Sequence, residues 1–227
     1  MKISKINRRR LKKHSIIVRV NKNLSLRLTI APYVTKKDIE NFLSKNKENI
    51  NKLIENQRQR NQETENLKNS HSEEILLFGK WHKINFYNTT GISIKENNIF
   101  LSETIKEYTK STLIKTVYKS LAEKIFPVLV SEEETKTGIK SDSLKISHAK
   151  SRWGSFNSKG RMSLSYFLMA CPAEVIRYVI CHELCHKKVM NHQKDFYKIL
   201  DTYYPNRQEY DKTLKETGKY LRSIDEN

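Results

Sequence analysis

The sequence lacks the features that mark membrane and secreted proteins. It has no apolar run near the ~20 residues that a bilayer-spanning helix needs, and its first residues lack the apolar stretch and cleavage site of a secretory signal. Its three cysteines, an odd number, argue against a disulfide framework. These absences predict a cytoplasmic protein that has no membrane partner.

Acidic residues are absent from positions 1–37, although the whole chain contains 25 of them against 43 Lys and Arg and has a formal net charge of +18. Five basic residues crowd into this stretch: Arg8, Arg9, Arg10, Lys12 and Lys13. Such a cluster attracts polyanions, so we predict that it contacts nucleic acid or phosphate groups. The competing interpretation is a composition bias that leaves charges on a solvated face.

Apolar periodicity in the first part of the chain predicts strands followed by a helix. Alternating apolar residues on both sides of positions 21–23 predict a hairpin with Arg19 and Arg27 on its polar face. Thr35 and Asp38 have the spacing of a capping box, and an amphipathic helix should follow them. Residues 57–74 lose the apolar stripe, which indicates an exposed helical extension and a linker.

The later part of the chain alternates short strands with amphipathic helices. Strands are expected within 75–102, and a helix over 113–125 that Pro127 should kink or end. Two further strands, at 144–146 and 162–166, should be joined by a loop. We therefore predict an α+β fold, with an antiparallel β-rich half at 1–110 and a half at 111–227 that places a metal-binding helix beside a short sheet. At 227 residues, the halves together could form one domain.

The most specific motif is His182-Glu183-Leu184-Cys185-His186. Helical positions four apart share one face, so the two imidazoles could bind one metal ion, while Glu183 could accept a proton from an activated water. An apolar stripe before the motif predicts that the helix packs on a core: Val175, Ile176, Val179 and Ile180. The competing interpretation is a polar helix face without a metal.

His192 is the preferred third ligand. An unbroken helix would carry it about 9 Å past His186 and off the ligand face, so the helix must end and the chain must turn back. No glycine occurs between Lys187 and Asn191. We therefore predict a helix end within 187–191, with Asn191 as the residue suited to a left-handed conformation and His192 opening the next segment. Other candidate third ligands remain open: Asp195, Glu209 and Asp211.

The three cysteines are expected to be structural. Cys181 and Cys185 flank the predicted ligands at helical spacing, so a thiolate ligand is conceivable, but a small buried hydrophobic role is favoured for both. Cys171 precedes Pro172 and has no chemical partner in the sequence.

The run SRWGSFNSKGRMSLSYFLMACPAEVIRYVICHELCHKKVMNHQKDFYKIL resembles the catalytic half of the YgjP-like metallopeptidase family, which is related to the SprT-like zinc proteases. The opening RRRLKKHSIIVRV and the segment LLFGKWHKINFY are similar to that family as well. The resemblance implies a zincin-like C-terminal half and one Zn²⁺ per chain, held by His182, His186 and His192 with Glu183 as catalytic base. One departure is visible, since Phe156 replaces the cysteine of the family's RWGSC pattern.

Other residues are candidates for binding the substrate, stabilising the transition state or orienting the histidines. A strand beside the metal helix could pair with an extended peptide, and Arg152 and Trp153 could border that groove. An equal alternative makes Trp153 a core anchor with Arg152 as its cationic neighbour. Donors suited to an oxyanion are Tyr166, Arg152, Tyr203 and Tyr204. Candidate acceptors behind the histidines are Asp195, Asp201 and Glu209.

Three functions are compatible with these patterns. The first is a zinc-dependent peptidase in which Glu183 takes the proton of water, although imidazoles also accept cobalt, nickel and manganese. The second is a metal-dependent nucleotide phosphohydrolase whose basic half holds phosphates. The third is a nucleic-acid-binding protein with a structural metal, which would require four protein ligands.

Overall fold

The computed structural model describes residues 2–10, 15–88 and 90–224, with the backbone alone at position 68. Ten strands and six helices form within these ranges, which confirms the α+β class. The strands are β1 (Ile3–Arg8), β2 (Ile16–Val20), β3 (Leu26–Ile30), β4 (Glu74–Leu77), β5 (Lys80–Tyr87), β6 (Ser93–Lys95), β7 (Asn98–Ser102), β8 (Ser143–Ser147), β9 (Gly154–Phe156) and β10 (Arg161–Ser165). The helices are α1 (Lys36–Lys45), α2 (Lys47–Ser70), α3 (Lys110–Thr137), α4 (Ala173–Cys185), α5 (Lys194–Tyr203) and α6 (Arg207–Ile224).

The chain divides into two compact units, Met1–Asn69 and Ser70–Asn227. This division differs from the predicted boundary at 110/111. The reason is that strands β4 and β7 bury their apolar residues in the same core as α3 and α4. None of the helices in the described ranges is long and apolar enough to cross a bilayer.

The first unit is built on a three-stranded sheet in the order β1-β3-β2. The predicted hairpin is confirmed, because β2 and β3 pair antiparallel with Arg19 opposite Arg27. Strand β1 pairs parallel with β3, so the sheet is mixed and not wholly antiparallel as expected. The predicted capping box between Thr35 and Asp38 starts α1, and Asn46 ends it, which divides the expected first helix into α1 and α2.

Helix α3 and a four-stranded sheet in the order β4-β5-β7-β6 carry much of the core of the second unit. The helix continues past Pro127 to Thr137 and ends at Gly138, which adopts φ 68°. Of the two predicted effects of Pro127, a kink or an end of the helix, the second is therefore wrong. Buried residues lie on both sides of the proline, among them Phe126 and Val130, and their burial outweighs the lost backbone hydrogen bond.

The second sheet of this unit has the order β8-β10-β9 and precedes α4 in the chain. Strand β9 comes from the RWGS segment and pairs antiparallel with β10, whereas β8 pairs parallel with it. A short 3-10 helix over Tyr166–Ala170 follows β10, so Tyr166 lies past the strand in which it was expected. Helix α4 then starts after Pro172, whose ring lies against Gly79: a Cβ on that glycine would come within 2.6 Å of Cγ of the proline.

Candidate metal centre

Helix α4 presents an apolar stripe to the core and two histidines from its last turns. The four residues of the stripe are at most 4% exposed: Val175, Ile176, Val179 and Ile180. The rings of His182 and His186 lie 5.1 Å apart between centroids. The core therefore fixes the orientation of the helix, and the helix in turn fixes both imidazoles.

The chain reverses direction directly after His186. Helix α4 ends at Cys185, and the amide of Val189 donates to the Cys185 carbonyl at 3.0 Å. This end lies before the predicted range of 187–191. Asn191 is not in the left-handed region, since the described non-glycine residues with positive φ are Leu24, Phe78 and Glu96. Consecutive tight turns make the reversal without a left-handed residue at 191, and that part of the prediction was wrong.

The reversal brings His192 back to the two helical histidines. Nε2 of His192 lies 3.0 Å from Nε2 of His182, and one nitrogen from each of the three rings lies within 4.8 Å of the others. These histidines are the one His, Cys, Asp and Glu cluster with such spacing in the described ranges. Asp195 instead pairs with Lys198, and Asp211 accepts a hydrogen bond from Tyr178 at 2.9 Å.

The protonation of these histidines suits a metal ion. Burial lowers the pKa of His182 to about 3 and also lowers the pKa of His186, so both rings are neutral near pH 7. Nδ1 of His186 lies 3.1 Å from the Val189 carbonyl, which can accept a hydrogen bond from a proton on that nitrogen and so leaves Nε2 for a ligand bond. Three imidazole nitrogen donors fit zinc, with a fourth position left for water or substrate.

Phe196 supports all three rings, a role that sequence reasoning missed. Its side chain is fully buried, and its ring centroid lies 4.9, 4.7 and 4.8 Å from those of His182, His186 and His192. The signal in the sequence was an aromatic residue four positions after His192. The aromatic ring excludes water from one side of the cluster and restrains the imidazoles.

Glu183 is buried beside the cluster at 6% exposure. Burial raises its pKa to about 7, and the positive charge of Arg152 opposes part of this shift. Gly154 at the start of β9 lies against the carboxylate, and a Cβ there would sit 2.6 Å from Oε1. This glycine belongs to the RWGS segment, and its role, which the sequence does not indicate, is to leave room for the Glu183 side chain.

The remaining residues predicted near substrate lie in different surroundings. Arg152 is exposed and acts electrostatically on Glu183, and Trp153 packs against the core while lining a surface cavity. Tyr166 is buried against Phe167, with ring centroids 4.7 Å apart. The Tyr203 hydroxyl donates to the Thr137 carbonyl at 3.2 Å. Among these residues, Arg152 is the one whose charge acts on Glu183.

One more predicted oxyanion donor, Tyr204, and one predicted acceptor for the histidines, Asp201, interact with other side chains. Tyr204 is buried with the Lys136 amine 4.0 Å from its ring centroid. The predicted acceptor Asp201 pairs with Arg207 at 2.9 Å, and the Val189 carbonyl takes the expected place behind His186. A backbone acceptor of this kind has no residue-type signal in a sequence.

The basic N-terminal residues belong to the first unit. Arg8 donates to the carbonyls of Pro32 and Val34 at 2.8 and 3.2 Å, so it braces the chain after β3. Arg9 and Arg10 are exposed. Lys12 and Lys13 lie outside the described residues.

The three cysteines are free thiols and buried, as expected of structural residues. Burial raises the pKa of Cys171 to about 12, which keeps it protonated. Neither Cys181 nor Cys185 belongs to the ligand cluster of the described residues.

Comparison with known proteins identifies the family. Residues 14–217 match the YgjP-like metallopeptidase domain. The chain belongs to the YgjP-like metallopeptidase family. Membership confirms the resemblance noted in the sequence and supports a metal-dependent peptidase that acts on peptides or proteins.

Comparisons with curated proteins and with solved structures do not add to this assignment. No curated protein matches this YgjP-like chain. Two solved structures are similar to part of it, both of them metallopeptidase zymogens. Jannalysin of Methanocaldococcus jannaschii is 25% identical with a TM-score of 0.36, over 40% of this chain and 93% of its own. Abylysin of Pyrococcus abyssi is 18% identical with a TM-score of 0.36, over 40% of this chain and 92% of its own.

Proposed function

We propose that the protein is a zinc-dependent peptidase in which His182, His186 and His192 hold the metal and Glu183 is the general base. The observation that carries the proposal is the convergence of three imidazoles beside a buried carboxylate. Zinc at such a site lowers the pKa of water from about 15.7 towards 7 and polarises a carbonyl.

Glu183 is suited to proton transfer. With a pKa raised to about 7, the carboxylate is basic enough to accept a proton near neutral pH and acidic enough to release it to a leaving nitrogen. Gly154 shields one side of it from water, and the charge of Arg152 favours its ionised form. The same guanidinium is the candidate donor to a developing oxyanion.

Strand β9 favours a peptide over a nucleotide as the substrate. It lies at the end of its sheet, and no strand of the described residues pairs with its outer edge. An extended peptide can add to such an edge through backbone hydrogen bonds. Because β9 starts at Gly154, against Glu183, a peptide paired there would pass the catalytic base.

Glu183→Gln tests the assignment. The amide keeps the volume of the side chain but cannot accept the proton, so kcat/KM for a peptide substrate should fall by roughly 10²–10⁴-fold while zinc content stays at one ion per chain. Glu174→Gln is the matched control, because Glu174 is exposed in the first turn of the same helix.

Three results would contradict this assignment. Full peptidase activity in Glu183→Gln would exclude the residue as base. Loss of nucleoside triphosphate hydrolysis in this variant, with no peptide cleaved by the parent protein, would instead support a phosphohydrolase. Absence of both activities with metal retained would support a structural metal.

A specific observation favours nucleic acid as an additional partner of the first unit. Lys5 and Arg19 both pair with Arg27 across neighbouring strands, and all three residues are exposed. Neighbouring strands lie ~4.8 Å apart, so these like charges are adjacent and their repulsion destabilises the sheet when no partner is bound. A polyanion bound to this face would relieve that repulsion.

The double variant Arg19→Glu/Arg27→Glu tests the nucleic-acid contact. We expect the affinity for a short DNA duplex to fall, and the slope of log affinity against log salt to become shallower by about two, since two phosphate contacts are lost. Lys52→Glu, an exposed change on α2, is the control. Equal DNA affinity in the double variant and the control would remove this partner from the proposal.

A further inference from the structure

A cavity of about 170 Å³ lies beside the candidate catalytic centre. Its walls come from the segment before β9, from the 3-10 helix after β10 and from one face of α6. The apolar wall includes Trp153, Phe167, Leu214 and Leu221. Gly218 lies on the α6 wall, where a Cβ would be 3.3 Å from Nη1 of Arg222 and 3.5 Å from the Trp153 ring.

The charged residues that line this cavity are all cationic: Lys150, Arg152, Lys215 and Arg222. No acidic residue lines the cavity. In the described ranges, Arg152, Lys215 and Arg222 make neither a hydrogen bond nor an ion pair with a protein group. An apolar wall below a cationic rim suits a ligand with a short apolar stem and an anionic head.

The position of the cavity relates it to the chemistry. Arg152 lines the cavity and also acts on Glu183, and Trp153 directly precedes β9. A strand advances about 3.3 Å per residue, so a peptide paired with β9 would reach the cavity within about two residues of Gly154.

The size of the cavity narrows the choice of ligand. Pockets for drug-sized ligands enclose about 300–1,000 Å³, so this cavity is too small for a whole nucleotide and has room for one side chain.

We propose that this cavity binds a carboxylate-bearing residue of the substrate close to the scissile bond, so that the enzyme prefers peptides with an acidic side chain or a free C-terminus at that position. The inference depends on the peptidase function proposed above. The aliphatic stem of the residue would lie against Trp153 and Leu221, and its carboxylate would meet Arg222 and Lys215.

Fluorogenic peptides that differ at one position test the preference. Each position within three residues of the scissile bond carries Glu, Gln or Lys in turn, and each peptide is made with a free or an amidated C-terminus. At one position we expect kcat/KM to be roughly tenfold higher for Glu than for Gln, which is the discrimination of a charge-assisted hydrogen bond. A tenfold preference for the free C-terminus would identify the terminal carboxylate as the ligand instead.

Charge reversal locates the preference in the cavity. Arg222→Glu should abolish the preference for Glu and favour the Lys peptide, and Lys215→Glu should do the same to a smaller extent. Lys219→Glu is the matched control, because it is exposed on α6 but does not line the cavity. Thermal unfolding of all three variants checks that they are folded.

The two proposals fail in different ways. If the wild-type protein cleaves Glu, Gln and Lys peptides equally and ignores the C-terminal amide, the cavity proposal is wrong and the peptidase stands. A preference that survives both Arg222→Glu and Lys215→Glu also overturns it. If the wild-type protein cleaves no peptide at all, the proposed function fails and takes this inference with it.

Discussion

Gly154→Ala perturbs the candidate catalytic base without touching a metal ligand. The new Cβ would lie 2.6 Å from Oε1 and 2.7 Å from Cγ of Glu183, whereas ordinary contacts begin at 3.4 Å. The carboxylate must therefore move by about 0.8 Å. The φ angle of Gly154 is not positive, so alanine meets no backbone strain, and the effect comes from the clash alone.

A shift of this size should be costly for catalysis. Misplacement of a catalytic group by about 1 Å lowers rates by about 10²-fold, which corresponds to roughly 2.7 kcal/mol of transition-state stabilisation. We expect kcat/KM for a peptide to fall by about 10²-fold, with zinc content unchanged because the three atoms nearest the new Cβ all belong to Glu183. Overpacking should also lower the free energy of unfolding by about 1–3 kcal/mol.

Peptide kinetics, metal analysis and thermal unfolding of purified protein check this prediction. Ser155→Ala is the control, since it changes the next residue of the same strand, whose side chain points to the opposite face. Activity within about threefold of the wild type would refute the argument that Gly154 makes room for the base. Loss of zinc from Gly154→Ala would refute the prediction that the change moves Glu183 without disturbing the three histidines.

Two further predictions concern the metal ligands. Phe196→Ala removes the ring behind all three imidazoles. Zinc affinity should therefore fall by about 10–100-fold and unfolding free energy by about 3–5 kcal/mol. Unchanged zinc affinity in a competition titration would contradict the proposed support of the imidazoles by Phe196. Burial lowers the pKa of His182 to about 3 from 6.5 and raises that of Glu183 to about 7 from 4.5, so their effects on metal-free stability oppose each other between pH 4.5 and 6.5. In metal-free Glu183→Gln, the opposing effect of the carboxylate is absent, and His182 acts together with His186, whose pKa burial also lowers. Unfolding free energy should then fall by about 1.4 kcal/mol per pH unit or more once the pH is well below 6.5, because the unfolded chain binds protons that the folded chain excludes. An unfolding free energy, measured by denaturant titration, that does not change with pH over that range would contradict the burial of His182.

Much of the local structure followed from patterns within short segments. The spacing of Thr35 and Asp38 predicted a cap, alternation predicted the β2–β3 hairpin, and four-residue spacing placed His182 and His186 on one helix face. These predictions succeeded because capping, pleating and helical periodicity depend on residues within one or two turns of each other.

Errors arose where long-range packing competes with local preference. Pro127 lies inside α3 because burial on both sides compensates for a lost hydrogen bond. Similarly, the reversal before His192 uses consecutive turns and needs no left-handed Asn191, since the support for the third histidine comes from Phe196 on the next helix. No pattern within 187–192 contains that contact.

The sequence by itself determined the candidate ligand types, their order and the family, because these reside in residue identity and spacing along the chain. Only the tertiary structure decided which groups surround them: Gly154 against Glu183, Phe196 behind the three imidazoles, and a cationic cavity at the start of β9. These contacts join different secondary-structure elements, and they form because burial of apolar surface brings β9, α4, α5 and α6 around one core.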